Sequence, residues 1–70
     1  MTSFAIYLNR HLKIVDRQDL VSGTGCEIQR YDYDAHCVYV DTRSKEMTPK
    51  ELLGKIHTDY QEDIHEIIFT

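Results

Sequence analysis

The side chains of this chain best suited to chemistry are four histidines and two cysteines: His11, His36, His57, His65, Cys26 and Cys37. That is many ligand-type residues for a length of 70. A zinc site needs donors that converge, usually from positions two to four residues apart. Here only His36 and Cys37 lie close together, and neighbours on a strand point to opposite faces. His65-Glu66 runs into Ile67-Ile68-Phe69, so the second histidine of a zinc-protease helix is missing. The pattern predicts no metal and no cofactor.

Nucleophilic catalysis would fall to Cys37 with a histidine. A reactive thiolate needs an electropositive setting, and Cys37 sits in an acidic stretch that works against ionisation. Asp32, Asp34, Asp59, Glu62 and Asp63 read as solvated charges, not as an acid–base pair. Ser22-Gly23-Thr24-Gly25 is followed by neither Gly-Lys-Ser/Thr nor a helix, so it is no phosphate loop. So short a chain also has little room for a deep pocket beside a core. The expectation is a protein that is not an enzyme.

What stands out instead is tyrosine beside acid. Tyrosine offers large contact area, few rotors and a polar tip, which suits protein interfaces. Tyr31, Tyr33 and Tyr39, with Glu27, Asp32, Asp34 and Asp41, form the expected partner interface. The acids would steer a basic protein or a second copy of the chain onto it. The expected role is a small acidic interaction or regulatory protein, and homodimerisation is consistent with it. An alternative is a single-stranded nucleic-acid module, with Tyr7, Tyr31 and Tyr39 stacking bases from a sheet. The net charge of −4 argues against this, because phosphate binding needs clustered Lys and Arg. The plainer alternative is that these tyrosines cover the outer face of their own sheet.

Composition bounds the class. An apolar fraction of 41% and a charged fraction of 29% are those of a globular chain. One domain over residues 1–70 is expected, and a chain of this size buries only about 60% of its unfolded surface. The start, Met-Thr-Ser-Phe-Ala-Ile, lacks a basic leader, and no apolar run approaches a membrane span. The cysteine spacing fits neither a Cys-x-x-Cys pair nor a disulfide framework. A cytoplasmic protein with two reduced thiols is the expectation.

The elements that would position these residues are built around Met47–Tyr60. Thr48 is an N-cap, Pro49 suits the first helical position and Glu51 completes a capping box. Met47 is placed to staple onto Leu52. Leu52, Leu53, Ile56 and Tyr60 make one stripe of a helix predicted over 49–60. Residues 3–8 read as a strand with Phe4, Ile6 and Leu8 on one face. Residues 11–16 read as a second strand, because Leu12 and Ile14 alternate with polar neighbours and the apolar residues of 10–22 do not form a helical stripe. Residues 26–32 and 36–42 form a hairpin. A three-residue turn would put Cys26, Ile28, Val38 and Val40 on one face and Glu27, Gln29, Tyr31, Cys37, Tyr39 and Asp41 on the other. Neither register considered permits a Cys26–Cys37 bridge. After a short connection at 61–63, residues 64–69 read as a last strand. The fold class is α+β, a small, mostly antiparallel sheet covered by one helix. If residues 10–22 are helical instead, the order is that of a miniature ferredoxin-like βαββαβ sandwich.

Overall fold

A computed structural model describes residues 2–43 and 45–70; Ser44, in the connection expected to lead into the 49–60 helix, lies outside them. The order is β1 (Ser3–Leu8), α1 (Ile14–Val21), β2 (Glu27–Asp32), β3 (Cys37–Asp41), α2 (Pro49–Lys55), a 3-10 helix (Thr58–Asp63) and β4 (Ile64–Phe69). The four strands form one antiparallel sheet in the order β2-β3-β1-β4. Two interleaved β-α-β units on an antiparallel sheet are the ferredoxin-like arrangement. The small α+β class stands, and the expected strand at 11–16 does not.

That correction has an identifiable cause. The inward stripe of α1 is Arg17, Leu20 and Val21, and it includes a cation that a count of apolar residues passes over. Ile14 and Val15, whose branched side chains suggested a strand, point outward at 61% and 70% exposure. Leu12, just ahead of the helix, is fully buried. Arg17 is tolerated inside because its Nη1 donates to the Leu12 carbonyl at 2.9 Å and its guanidinium lies 3.9 Å from the Tyr31 ring centre. Ser22 and Thr24 hydroxyls donate to the Asp19 and Val21 carbonyls and close the C-terminal end. Gly23 follows with φ +85°, the left-handed conformation in which helices often end.

At α2 the local chemistry is as expected. The Thr48 hydroxyl accepts from the Glu51 N–H, and the Glu51 carboxylate accepts from the Thr48 N–H. Met47 and Leu52 are both buried in the core. The helix is shorter than predicted, ending at Lys55, because the Gln61 side-chain amide donates to the Leu53 and Ile56 carbonyls and takes over its last turn. The 3-10 helix that follows replaces the expected plain connection at 61–63 and brings Tyr60 back to the core. Leu52, Ile56 and Tyr60 are buried, whereas Leu53 turns out at 37% exposure, against expectation. These side chains meet Phe4, Ile6, Leu8, Val38 and Val40 from the sheet, and Leu20 and Val21 from α1, in one core. Both helices thus lie on one side of the sheet.

Tyr60 ties the 3-10 helix to α1. Its hydroxyl lies 3.1 Å from an Asp16 oxygen and 3.0 Å from an Asp19 oxygen, spanning more than 40 residues of sequence. Burial and the two carboxylates together push the phenol well above the ordinary tyrosine range. Arg10, after β1, makes a two-pronged ion pair with Asp63 at 2.9 and 3.1 Å, fixing the start of β4.

Candidate interaction surface at the β2–β3 hairpin

The hairpin decides where the tyrosines go. Near its open end the register is the expected one, with Ile28 opposite Val40 and Glu27 opposite Asp41. The turn, however, has four residues, since Asp32 pairs with Cys37. An extra residue at Gln29, between Ile28 and Arg30, absorbs the difference as a bulge. Val38 and Val40 stay fully buried. Above the bulge every β2 side chain changes face, so Tyr31, opposite Val38, packs on the helix side of the sheet. The expected sharing of one face by Tyr31 and Tyr39 is thereby corrected.

On the helix side, Tyr31 and Tyr33 form a cluster with His11, which the sequence offered only as a metal ligand, and with Arg17, which it did not single out. The His11 Nδ1 lies 2.8 Å from the Tyr31 hydroxyl, and the His11 ring stacks on Tyr33 at 5.0 Å between centres. Tyr31 and Tyr33 meet edge to face at 4.9 Å, with the Arg17 guanidinium over Tyr31. Tyr33 is nevertheless 64% exposed. Beside the cluster, an open groove of about 460 Å³ runs between α1 and β2, lined by Ile14, Arg17, Gln18, Val21, Glu27, Ile28 and Tyr31.

The other side of the sheet carries Ala5, Tyr7, Cys37, Tyr39 and Ile68. Among the described residues no helix packs there, yet Ala5 and Cys37 are 1% and 0% exposed. The half-buried Tyr7 and Tyr39 roof them, with the Arg30 guanidinium 3.9 Å from the Tyr39 ring centre. Burial raises the Cys37 thiol, and contacts with the Tyr39 and Tyr7 hydroxyls only partly offset it, so this cysteine is not an activated nucleophile. The Tyr39 phenol is raised too, chiefly by its hydrogen bond with Cys37. Both cysteines are free thiols.

Two of the four expected steering acids work within the fold. Asp32 accepts from the Asp34 and Ala35 N–H groups at the turn, and Asp41 accepts from the Arg43 N–H. Asp34 is exposed in the turn. Glu27 makes no ion pair or side-chain hydrogen bond among the described residues, and it lies opposite Asp41 in the register. Among the described residues no three His, Cys, Asp or Glu side chains converge on one point, and no helix is long and apolar enough to cross a membrane. The sequence pattern offers His11 only as a metal ligand and does not mark Arg17 or Arg30, because His11 and Arg17 meet their tyrosines across the fold and Arg30 is set opposite Tyr39 only by the bulge. No protein-family model matches this chain, and no curated protein or solved structure matches it significantly.

Proposed function

We propose that this protein is a small, non-enzymatic interaction module that regulates a partner by protein–protein contact, through the side of the domain where α1, β2 and the β2–β3 turn meet. The observation that carries this is the pair of large side chains left in water there: Ile14, at 61% exposure, lines the groove, and Tyr33, at 64%, packs on Tyr31 beside it. Such side chains are what a contact surface desolvates. Tyr31, Tyr33, Glu27, Asp32 and Asp34 belong to this surface, whereas Tyr39 and Asp41 are taken up by the fold. The net charge of −4 favours a basic partner. Two unbridged thiols fit a reducing, cytoplasmic setting.

The test begins with affinity capture from the source cell by the tagged chain. Each captured protein is then purified and titrated against wild type, Ile14→Asp and Tyr33→Ala. A direct partner whose affinity falls about tenfold or more in both variants supports the reading, in line with the loss of one anchor. Equal affinity in all three refutes it.

A second reading rests on Tyr7 and Tyr39, which lie diagonally on the two central strands of the helix-free face with Arg30 stacked beside them. That arrangement suits stacking of single-stranded bases. Oligonucleotide binding that weakens with salt and with Tyr39→Ala would favour it over the contact surface.

A further inference from the structure

The hydrogen-bonding parity of the sheet exposes a short stretch of β2 backbone. Leu8 N donates to His36 O and Thr42 N to Thr2 O, so the even residues of β3 bond to β1. Cys37, Tyr39 and Asp41 therefore bond to β2, through Asp32, Arg30 and Glu27. The main-chain groups of Ile28 and Tyr31 are left pointing away from β3, at the free edge, directly beside the groove. Their side chains form part of its wall.

We propose that this edge takes an extended basic peptide as an added strand, with apolar side chains set into the groove between β2 and α1. The inference rests on the contact function proposed above and names its partner chemistry. Charge selects the occupant. Glu27 lines the groove with no ion pair among the described residues and faces Asp41 in the ladder, a like-charge pair that a strand ordinarily avoids. Arg17, the cation in the groove, is already committed to the Leu12 carbonyl and the Tyr31 ring. A second copy is a poor occupant: antiparallel pairing of two β2 edges with Ile28 opposite Tyr31 puts Glu27 of one against Asp32 of the other. The complementary strand reads basic-apolar-x-apolar-basic. Its apolar residues lie opposite Ile28 and Tyr31, and its cations lie opposite Glu27 and Asp32. The bulge at Gln29 keeps the ladder short, which guards the edge against indiscriminate pairing. Main-chain bonds with alternate side chains in a groove are a known way of holding peptides.

The probe is acetyl-Lys-Val-Ser-Val-Lys-amide, titrated into the whole chain and followed by amide exchange and chemical shift. Exchange at Ile28 and Tyr31 should slow on saturation. The peptide with both valines N-methylated should not bind. Glu27→Lys should weaken binding about fivefold, as an exposed ion pair would. The proposal is overturned if the N-methylated peptide binds equally, if the shifts fall on Tyr7 and Tyr39 instead, or if nothing binds at millimolar peptide. Should the probe fail while Ile14→Asp and Tyr33→Ala still weaken a purified partner, strand addition is wrong and the contact function survives.

Discussion

Replacing Arg17 by Met tests why residues 14–21 are helical. The stem is kept, so little packing volume changes, and the guanidinium alone is removed. Arg17 is 8% exposed and donates to the carbonyl of Leu12, a residue with no exposed surface. Leaving that carbonyl unsatisfied costs about 1–3 kcal/mol. Loss of the cation from its place 3.9 Å from the Tyr31 ring centre costs about 0.5–1 kcal/mol more. Relief from burying a charge works in the opposite direction, since an apolar replacement escapes that desolvation penalty. The net expectation is a loss of about 1–3 kcal/mol, from a total of about 4–10 kcal/mol for a chain of this length. Tm should fall by about 5–20 °C at the usual scaling for small domains. Urea melts with an unchanged m-value supply the measurement, because only then is stability alone altered. A double-mutant cycle with Tyr31→Leu should return a coupling of about 0.5–1 kcal/mol. A loss below about 0.5 kcal/mol, or zero coupling, would refute the argument that this cation holds α1 against β2.

Two further outcomes follow from single positions. Gly54 lies within α2 with nothing within 4 Å of an added methyl, so Gly54→Ala should stabilise by about 0.5–1 kcal/mol. Gly23 is equally open but sits at φ +85°, so Gly23→Ala should cost about 1 kcal/mol; the same sign for both in urea melts would contradict the backbone argument. The Tyr60 phenol is raised above its unfolded value, so the stability it confers is intact below about pH 10 and is lost as pH climbs from there toward the folded value. Tyr60→Phe should therefore flatten the fall in urea midpoint between about pH 9 and 11. It should not abolish that fall, because Tyr39 is raised as well. Superimposable pH profiles for the two proteins would show that Tyr60 is not coupled to Asp16 and Asp19.

What could be read from the chain without a structure was whatever is decided within a few residues. The capping box at Thr48 and Glu51 is of this kind, since donor and acceptor sit three positions apart and need no distant partner. The inward placement of Ile28, Val38 and Val40 was legible because alternation fixes a strand's faces. The failures involve contacts or geometry set beyond the nearest few residues. Residues 11–16 looked like a strand because Arg17 does not count as a core residue until Tyr31 and the Leu12 carbonyl are brought to it. Tyr31 was assigned to the wrong face because a four-residue turn and a bulge at Gln29 cancel near Ile28 but not near the turn. Leu53 was expected inside until Gln61 was found ending the helix one turn early.

The same distinction bears on which part of the tyrosine and acid content needs a function to explain it. On the helix-free face, Tyr7 and Tyr39 already seal Ala5 and Cys37, so that side of the sheet gains its dry centre without a partner. Asp41 holds a turn, one oxygen of Asp32 holds the hairpin turn, and Tyr60 with Asp16 and Asp19 ties the 3-10 helix to α1. Folding accounts for these groups, and substituting them would be felt first as lost stability. Along β2 the account reverses. Glu27 opposite Asp41 and the branched side chain of Ile14, exposed beside the groove, each work against the isolated domain. In a domain with so small a core, features that oppose stability and flank one groove beside an unpaired edge are those a bound partner would turn to advantage: a cation opposite Glu27, and apolar contact with Ile14 of α1.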